Sequence, residues 1–166
     1  MSYNDHRTRA MALLENPIKY PGLPVRKRAV MRLRLWRYPS FQPSASWAVL
    51  QADNALFLRR ITWDHRHPVI VEPITYGCEV PLASDVFETV LRSLQAIKLP
   101  PFVPVSTIGI DGTSYGLEIN SFALSARYNW WESPPEAWTQ LEEWHGSTTA
   151  QFEDLLPAST PSLRHG

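Results

Sequence analysis

Residues 29–63 read AVMRLRLWRYPSFQPSASWAVLQADNALFLRRITW, and this stretch decides the fold. Met31, Leu33 and Leu35 alternate with arginines and a tryptophan, which is the two-residue period of a half-buried strand. Two further strands are predicted at 46–52 and 55–63, joined by a two-residue turn at Asp53-Asn54. Asn and Asp tolerate the left-handed backbone that such turns require. The stretch therefore predicts three consecutive antiparallel strands.

A shorter strand is possible at 69–71, and a helix is expected to begin at Ser84. Apolar residues recur at helical spacing along this helix. They are Val86, Phe87, Val90, Leu91, Leu94 and Ile97. Pro100-Pro101 ends the helix, because the residue before a proline is pushed out of the helical region.

A second group of strands is predicted after this helix. Asp111-Gly112 is a strong hairpin sequence, and it lies between the expected strands 107–110 and 114–117. Another turn at Asn120-Ser121 leads into a long expected strand, 122–131. On that strand Trp130 and Trp131 point to opposite faces.

The last helix is expected to start at Ser133 as N-cap, with a proline at the first helical position and Glu136 completing a capping box. Apolar residues at helical spacing form one stripe along this helix. The stripe contains Trp138, Leu141, Trp144, Thr148, Phe152 and Leu155. Pro157 ends the helix.

These elements predict an α+β fold. Its antiparallel sheet has about six strands in two meanders, with two helices packed on one face, in the order βββ-α-βββ-α. Residues 29–157 form the single domain. Residues 1–28 form an N-terminal arm with a short helix and three prolines, and 158–166 form a disordered tail.

Composition bounds the possible functions. Cys78 is the only cysteine, which excludes an intramolecular disulfide and a multi-cysteine zinc site. The chain offers no signal-peptide pattern and no apolar run of about 20 residues, so we expect a cytoplasmic protein with no membrane association.

Residues 1–66 carry a net charge of +8 and residues 67–166 a net charge of −8. Either the two parts face each other in the fold, or each presents a charged patch to a partner.

Two groups of residues are candidates for chemistry. His65 and His67 would lie on one side of an extended segment, as metal ligands sometimes do, although a polar turn after the strand ending at Trp63 is the preferred interpretation. Glu142, Glu143 and His145 are interpreted as a solvated helix face. Neither a nucleophile elbow nor a phosphate-binding glycine loop occurs. We therefore expect no enzymatic activity, no cofactor and no bound metal, with a small-molecule or enzymatic pocket around His65, His67 and Cys78 as an alternative.

A basic segment supports a further alternative. Arg26 to Arg37 contains six basic residues beside Trp36 and Tyr38, and phosphate attraction with aromatic stacking could bind nucleic acid. The neutral net charge of the whole chain argues against this hypothesis, because nucleic-acid-binding domains are usually basic.

The sequence of residues 111–156 resembles that of a known group of proteins. The order DGTSYGLEI, then ARYNWW, then PPEAWTQL is similar to the C-terminal half of small bacterial immunity proteins of polymorphic and contact-dependent toxin systems. The resemblance implies a cytoplasmic antitoxin that blocks a cognate protein toxin, encoded by an adjacent gene, through stoichiometric binding. Exposed aromatic and acidic groups suit such a surface. The residues expected to bind the partner are Trp131, Glu132, Glu136, Glu142 and Glu143.

Overall fold

The structure, a computed structural model, describes residues 3–65, 75–100, 103–104 and 111–158. The helices are α1 (Tyr3–Glu15), α2 (Ser84–Gln95) and α3 (Thr139–Leu155), and 3-10 turns lie at Pro17–Lys19 and Glu136–Trp138. The strands are β1 (Val30–Pro39), β2 (Ser44–Ala52), β3 (Ala55–Trp63), β4 (Thr75–Leu82), β5 (Thr113–Asn120) and β6 (Ser125–Trp131).

The six strands form one open antiparallel sheet in the order β4-β3-β2-β1-β5-β6. β1 to β4 are consecutive neighbours, and the β5–β6 hairpin pairs with the free side of β1. The turn between β2 and β3 is the expected one, with Asp53 at a positive φ of 53°. The α+β class and the six-stranded antiparallel sheet are thereby confirmed.

The element order and the helix count differ from the prediction. Four strands precede α2 and two follow it, and three helices accompany the sheet where two were expected. The extra early strand, β4, escaped prediction because Gly77 and Pro81 interrupt its sequence. Proline is tolerated there because β4 is an edge strand. The strands expected at 69–71 and 107–110 lie outside the described residues.

The first face of the sheet carries the main core. Leu33, Val49, Leu58 and other apolar side chains of the sheet pack there against the buried residues of α2 and α3. The helix residues are Phe87, Val90, Leu141, Trp144 and Phe152. The prediction that these two helices share one face of the sheet is confirmed. Leu155, predicted to belong to the apolar stripe of the last helix, is exposed, and Leu156 packs into the core in its place.

The second face is covered only in part. Ala10 and Leu14 of α1 pack against Ile61 and Trp63 of β3 in a smaller core. α1 lies over the β2–β3 half of this face. The half formed by β1, β5 and β6 is left without a helix of the described chain above it, and this half positions the site described below.

Two local predictions near the C-terminus are wrong. Ser133 does not cap the last helix: the extended Pro135 precedes a 3-10 turn, and α3 begins without a side-chain cap. Consecutive prolines force the backbone before them out of the helical region. The strand expected from 122 begins only at Ser125, because Ser121 N–H donates to the Leu124 carbonyl (2.8 Å) and closes a turn. Phe122 and Leu124 are exposed in that turn.

Candidate functional site

An open cleft of about 630 Å³ lies on the second face of the sheet, between α1 and β6. Its floor is aromatic and consists of Trp36, Tyr38 and Trp63. One wall comes from α1 (Arg7, Met11 and Glu15), and the other comes from β6 (Arg127, Asn129 and Trp131). Phe41, His65 and Asp111 line the rest. Trp36 is 2% and Trp63 is 6% exposed, so the accessible part of the cleft consists mainly of Tyr38, Trp131 and charged groups of both signs.

Strand alternation brings these side chains to one face. Trp36 and Tyr38 are two residues apart on β1, so they point the same way. Tyr38 on β1 pairs with Ser114 on β5, and Ser114 pairs with Trp131 on the edge strand β6. Directly paired residues point to the same face, so Trp131 lies on the face that carries Tyr38. Arg127, Asn129 and Trp131 follow one another on that edge with the same two-residue period. The site is therefore a product of sheet register.

The Trp36 indole is the centre of the floor. Its ring lies over Gly116 of β5, where a Cβ atom would overlap with the indole and would lie 2.5 Å from the Tyr128 carbonyl oxygen. The backbone φ of Gly116 is one that any residue adopts. Glycine is needed here because the indole approaches the backbone too closely for a side chain. Gly116 therefore leaves the space in which Trp36 lies flat against the sheet.

Two guanidinium groups lie over this indole. Arg34 Cζ is 4.7 Å and Arg127 Cζ is 5.0 Å from the Trp36 ring centroid. Both distances are within the range of cation–π attraction. Arg34 is buried and also pairs with Glu118 (Nη2 to Oε2, 3.2 Å), whereas Arg127 is exposed. Arg127 consequently presents a preoriented cation to the cleft.

Burial also sets the protonation of the floor. Desolvation raises the pKa of Tyr38 to about 12, against the opposing influence of the Arg34 charge. The Tyr38 phenol therefore keeps its proton, and with it the O–H donor, at pH values where an exposed phenol would ionise.

The helix wall is fixed by a buried arginine. Arg59 of β3 is 1% exposed and donates from Nη1 to the carbonyl oxygens of Pro17 (2.8 Å) and Ile18 (3.2 Å). It also donates to the Pro24 carbonyl and, through Nε, to Glu79 Oε2 (2.5 Å). These bonds tie the segment after α1 to the sheet, and they thereby hold α1 beside the cleft.

His145 of α3 lies behind the floor, on the other face of the sheet. Its Nε2 donates to the Trp36 carbonyl oxygen (3.2 Å), and its ring packs edge-on against Tyr115 and Trp130. Burial lowers the pKa of His145 to about 4. The interpretation of His145 as part of a solvated helix face is thus wrong, because it belongs to the buried side of α3.

The structure does not gather the expected partner-binding residues into one patch. Trp131 lies on the cleft wall and is 37% exposed. Glu132, at a positive φ of 53°, accepts a hydrogen bond from the Thr113 N–H through its carboxylate. Glu136, Glu142 and Glu143 are exposed on the 3-10 turn and on α3, across the sheet from Trp131.

The histidine candidate is only partly described. His65 lines the cleft, with its ring 5.1 Å from that of Trp63. His67 lies outside the described residues. Cys78 packs against the main core on the first face. In the described part of the chain, no three His, Cys, Asp or Glu side chains group as metal ligands would.

Most arginines of the basic segment make internal contacts. Arg26 pairs with Glu79 (2.5 Å), Arg34 pairs with Glu118, Arg32 donates to the Asn120 carbonyl (3.2 Å) and Arg37 donates to Gln42 (2.6 Å). These contacts occupy groups that phosphates would need, so they weaken the nucleic-acid hypothesis.

Sequence reasoning missed Arg7 and Arg127 as site residues, and it considered Tyr38 only as a stacking residue for nucleic acid. The alternation of Arg34, Trp36 and Tyr38 on one side of β1 was the available indication. It was interpreted as a basic segment because the covering of that face by α1 is a tertiary feature.

No helix of the described residues is long and apolar enough to cross a membrane. Comparison of the chain with protein-family models, with curated proteins and with solved structures gave no match.

Proposed function

We propose that this protein is an immunity protein that neutralises a cognate bacterial toxin by stoichiometric binding in the cytoplasm. The observation that carries the proposal is the open cleft, with the exposed Arg127 and Trp131 on its wall above a base of largely buried aromatic rings. Tryptophan, tyrosine and arginine dominate the binding energy of protein interfaces, and they act best when a rigid scaffold holds them. A sheet-based cleft meets both conditions.

The segment that resembles immunity proteins forms one wall of this cleft. Residues 111–156 contribute β5, β6 and α3, and from them Asp111, Arg127 and Trp131 reach the cleft. The shared hairpin-and-helix pattern is thus a scaffold, and its exposed positions are free to vary with the partner.

An acidic surface supports the same proposal. From Glu132 to Ala158 the chain contains no lysine or arginine, and Glu136, Glu142 and Glu143 are exposed. An exposed acidic surface speeds encounter with a basic partner, and proteins that act on nucleic acids are usually basic. In this proposal the cleft supplies affinity and α3 supplies attraction at longer range.

Co-purification with the product of the adjacent gene tests the proposal. We expect a 1:1 complex and loss of the toxin's activity within it. Trp131→Ala and Arg127→Ala should weaken the complex, while Gln151→Ala, an exposed substitution on α3, should leave it unchanged. The absence of any complex with the neighbouring products would contradict the proposed function.

A second candidate function is small-molecule binding. The cleft volume of about 630 Å³ lies in the range of small-ligand sites, and His65 stands on its lining beside Trp63. Native mass spectrometry of protein purified from its own host would detect a retained ligand. A bound molecule that is lost in His65→Ala would favour this function over protein binding.

A further inference from the structure

The strand β6 forms one edge of the sheet, and in the described part of the chain nothing pairs with its outer backbone groups. The Glu132 N–H donates to the Thr113 carbonyl (2.8 Å), so these two residues form a hydrogen-bonded pair of the β5–β6 ladder. Such pairs alternate along an antiparallel ladder, so the N–H and C=O groups of Arg127 and Asn129 point away from β5. An edge of this kind is a template for a further strand.

The opposite edge of the sheet, β4, is protected against such pairing. Pro81 of this strand has no N–H to offer to a neighbour. The segment after α1 also contacts β4, because the Tyr20 hydroxyl donates to Thr75 Oγ1 (3.1 Å) and Arg26 pairs with Glu79 (2.5 Å). Proline and covering segments are the usual means by which proteins block a sheet edge.

The strand β6 has neither of these protections among the described residues. Its sequence, SARYNWW, contains no proline, glycine or lysine, and tyrosine and tryptophan favour strands. Its only charged side chain belongs to Arg127, which lies back over the Trp36 ring with Cζ 5.0 Å from the centroid. Side chains of a strand stand perpendicular to the sheet, so this arginine leaves the backbone edge accessible. Of the two edges, β6 is therefore the one that can accept another strand.

Exposed apolar side chains lie at both ends of β6. Phe122 and Leu124 are exposed in the turn that precedes the strand, and Trp131 is exposed at its last position. A strand of seven residues is about 24 Å long, so these groups cannot cover one another within one copy of the chain. In an antiparallel pair of identical strands, the first end of each strand lies beside the last end of the other. Pairing of β6 with itself therefore brings Phe122 and Leu124 next to Trp131 of the second copy.

We propose that β6 pairs antiparallel with β6 of a second copy, so that the two six-stranded sheets form one continuous sheet in a dimer. The two-fold axis passes through the Tyr128 pair, because this register overlaps all seven residues of the strand. It places Arg127 opposite Asn129 of the second copy, and it pairs the outward backbone groups of both strands. A register centred on Arg127 would oppose two arginines, and like charges directly opposite each other destabilise a sheet.

This dimer leaves the cleft open. Directly paired residues of two strands point to the same face, so the second faces of both copies lie on the same side of the continuous sheet. The two clefts are then neighbours, and their β6 walls adjoin. The inference goes beyond the proposed function and does not depend on it, because each cleft stays available to one partner molecule.

Analytical ultracentrifugation of the full chain tests the inference. We expect a reversible dimer with a dissociation constant of about 1–100 μM. Asn129→Pro removes an outward N–H and should weaken the dimer at least about tenfold, whereas Asn129→Ala retains that N–H and should not. Proline is tolerated at a sheet edge, and far-ultraviolet circular dichroism checks that both variants are folded. A monomer at all concentrations up to about 0.1 mM, or equal dimerisation of the two variants, would overturn the inference.

A second variant tests the apolar contacts without changing the strand. Phe122→Ser with Leu124→Ser replaces exposed side chains, so the midpoint of urea unfolding measured below the dissociation constant should stay the same. The dimer should weaken at least about tenfold. Val25→Ser, at an exposed apolar residue of the segment after α1, is the matched control and should leave the dimer unchanged. Equal dimerisation of the double variant and the wild type would refute the contact with Trp131.

Amide hydrogen exchange locates the contact in the dimer. The N–H groups of Arg127 and Asn129 should exchange slowly at concentrations that favour the dimer and quickly in the Phe122→Ser, Leu124→Ser variant. The Tyr128 N–H, which faces β5, should exchange slowly in both. A dimer in which Arg127 and Asn129 exchange quickly uses another surface, and the inference would then be wrong. None of these measurements involves a toxin, so their failure leaves the proposed function intact.

Discussion

The flat seating of Trp36 depends on the missing side chain of Gly116. A Cβ at this position overlaps with the indole, and the nearby Tyr128 carbonyl belongs to the backbone, which yields little. We predict that Gly116→Ala destabilises the protein by about 1–3 kcal/mol, the usual cost of overpacking. It should also displace the cleft floor. Urea unfolding and near-ultraviolet circular dichroism measure the two effects.

Gly146 provides the matched control. It is an exposed helical residue of α3, and a Cβ there meets nothing within 4 Å. Gly146→Ala should therefore stabilise the helix by about 0.5–1 kcal/mol. If both variants shifted stability in the same direction, the steric account of Gly116 would be wrong.

His145 predicts a pH dependence with a definite sign. Its folded pKa, about 4, is below the ordinary histidine pKa of 6.5, so between these pH values the unfolded chain takes up a proton that the folded protein does not. The stability is fully present above about pH 6.5 and falls as the pH drops towards 4. Linkage gives a loss of about 3 kcal/mol over that window. Urea unfolding at several pH values measures it.

Carboxylates titrate in part of the same window, so a variant must isolate the histidine. His145→Gln keeps a polar side chain in place and has no proton to take up between pH 4 and 7. We expect its stability to be lower at pH 7 but to depend less on pH. An equally steep dependence in His145→Gln would show that other groups cause the effect.

At the scale of elements, Arg59 decides whether α1 forms a wall of the cleft. Arg59→Met would remove the donors to the Pro17, Ile18 and Pro24 carbonyls and one cation beside the buried Glu79. Because Arg26 still pairs with Glu79, the loss of stability should be less than the ~3–5 kcal/mol that removal of a buried ion's sole partner costs. We predict faster amide hydrogen exchange in α1 and in residues 16–28. Arg37→Met, which removes only an exposed contact to Gln42, should leave exchange there unchanged.

The elements could be predicted where one local pattern dominated. β1 to β3 and α2 were predictable because an apolar period, a turn at Asp53 or a proline pair marked each one. β4 was not, because its pairing with β3 overrides the unfavourable Gly77 and Pro81. The start of α3 was misplaced because the capping pattern at Ser133 competes with two prolines, and the prolines win.

At the scale of the whole molecule, the two oppositely charged parts of the chain face each other. Arg26 and Arg59 pair with Glu79, Arg34 pairs with Glu118, and Arg60 pairs with Glu153. Each of these pairs joins a base from the first 66 residues to an acid from the rest. This favours the first of the two interpretations of the charge asymmetry, while the exposed acids Glu142 and Glu143 of α3 remain consistent with the second.

The cleft could not be predicted from the sequence, because it too depends on contacts between distant parts of the chain. Its residues come from α1, β1, β3, β5 and β6, and only the sheet order β3-β2-β1-β5-β6 brings them to one face. Trp131 was identified because adjacent residues of a strand point to opposite faces, so one tryptophan of the pair had to leave the core. Arg7 and Arg127 are 120 positions apart in the chain, and local periodicity carries no information about such a pair.

Two surfaces on opposite sides of one sheet predict two kinetic signatures in the complex with the proposed toxin. Arg127→Ala, which removes a short-range cleft contact, should raise the dissociation rate with little change in the association rate. Glu142→Gln with Glu143→Gln should lower the association rate and weaken its salt dependence, because these exposed charges act at long range. Surface plasmon resonance at low and high salt separates the two effects. If both variants changed only the dissociation rate, α3 would be part of the contact surface, and the division between a binding cleft and an attracting helix would be wrong.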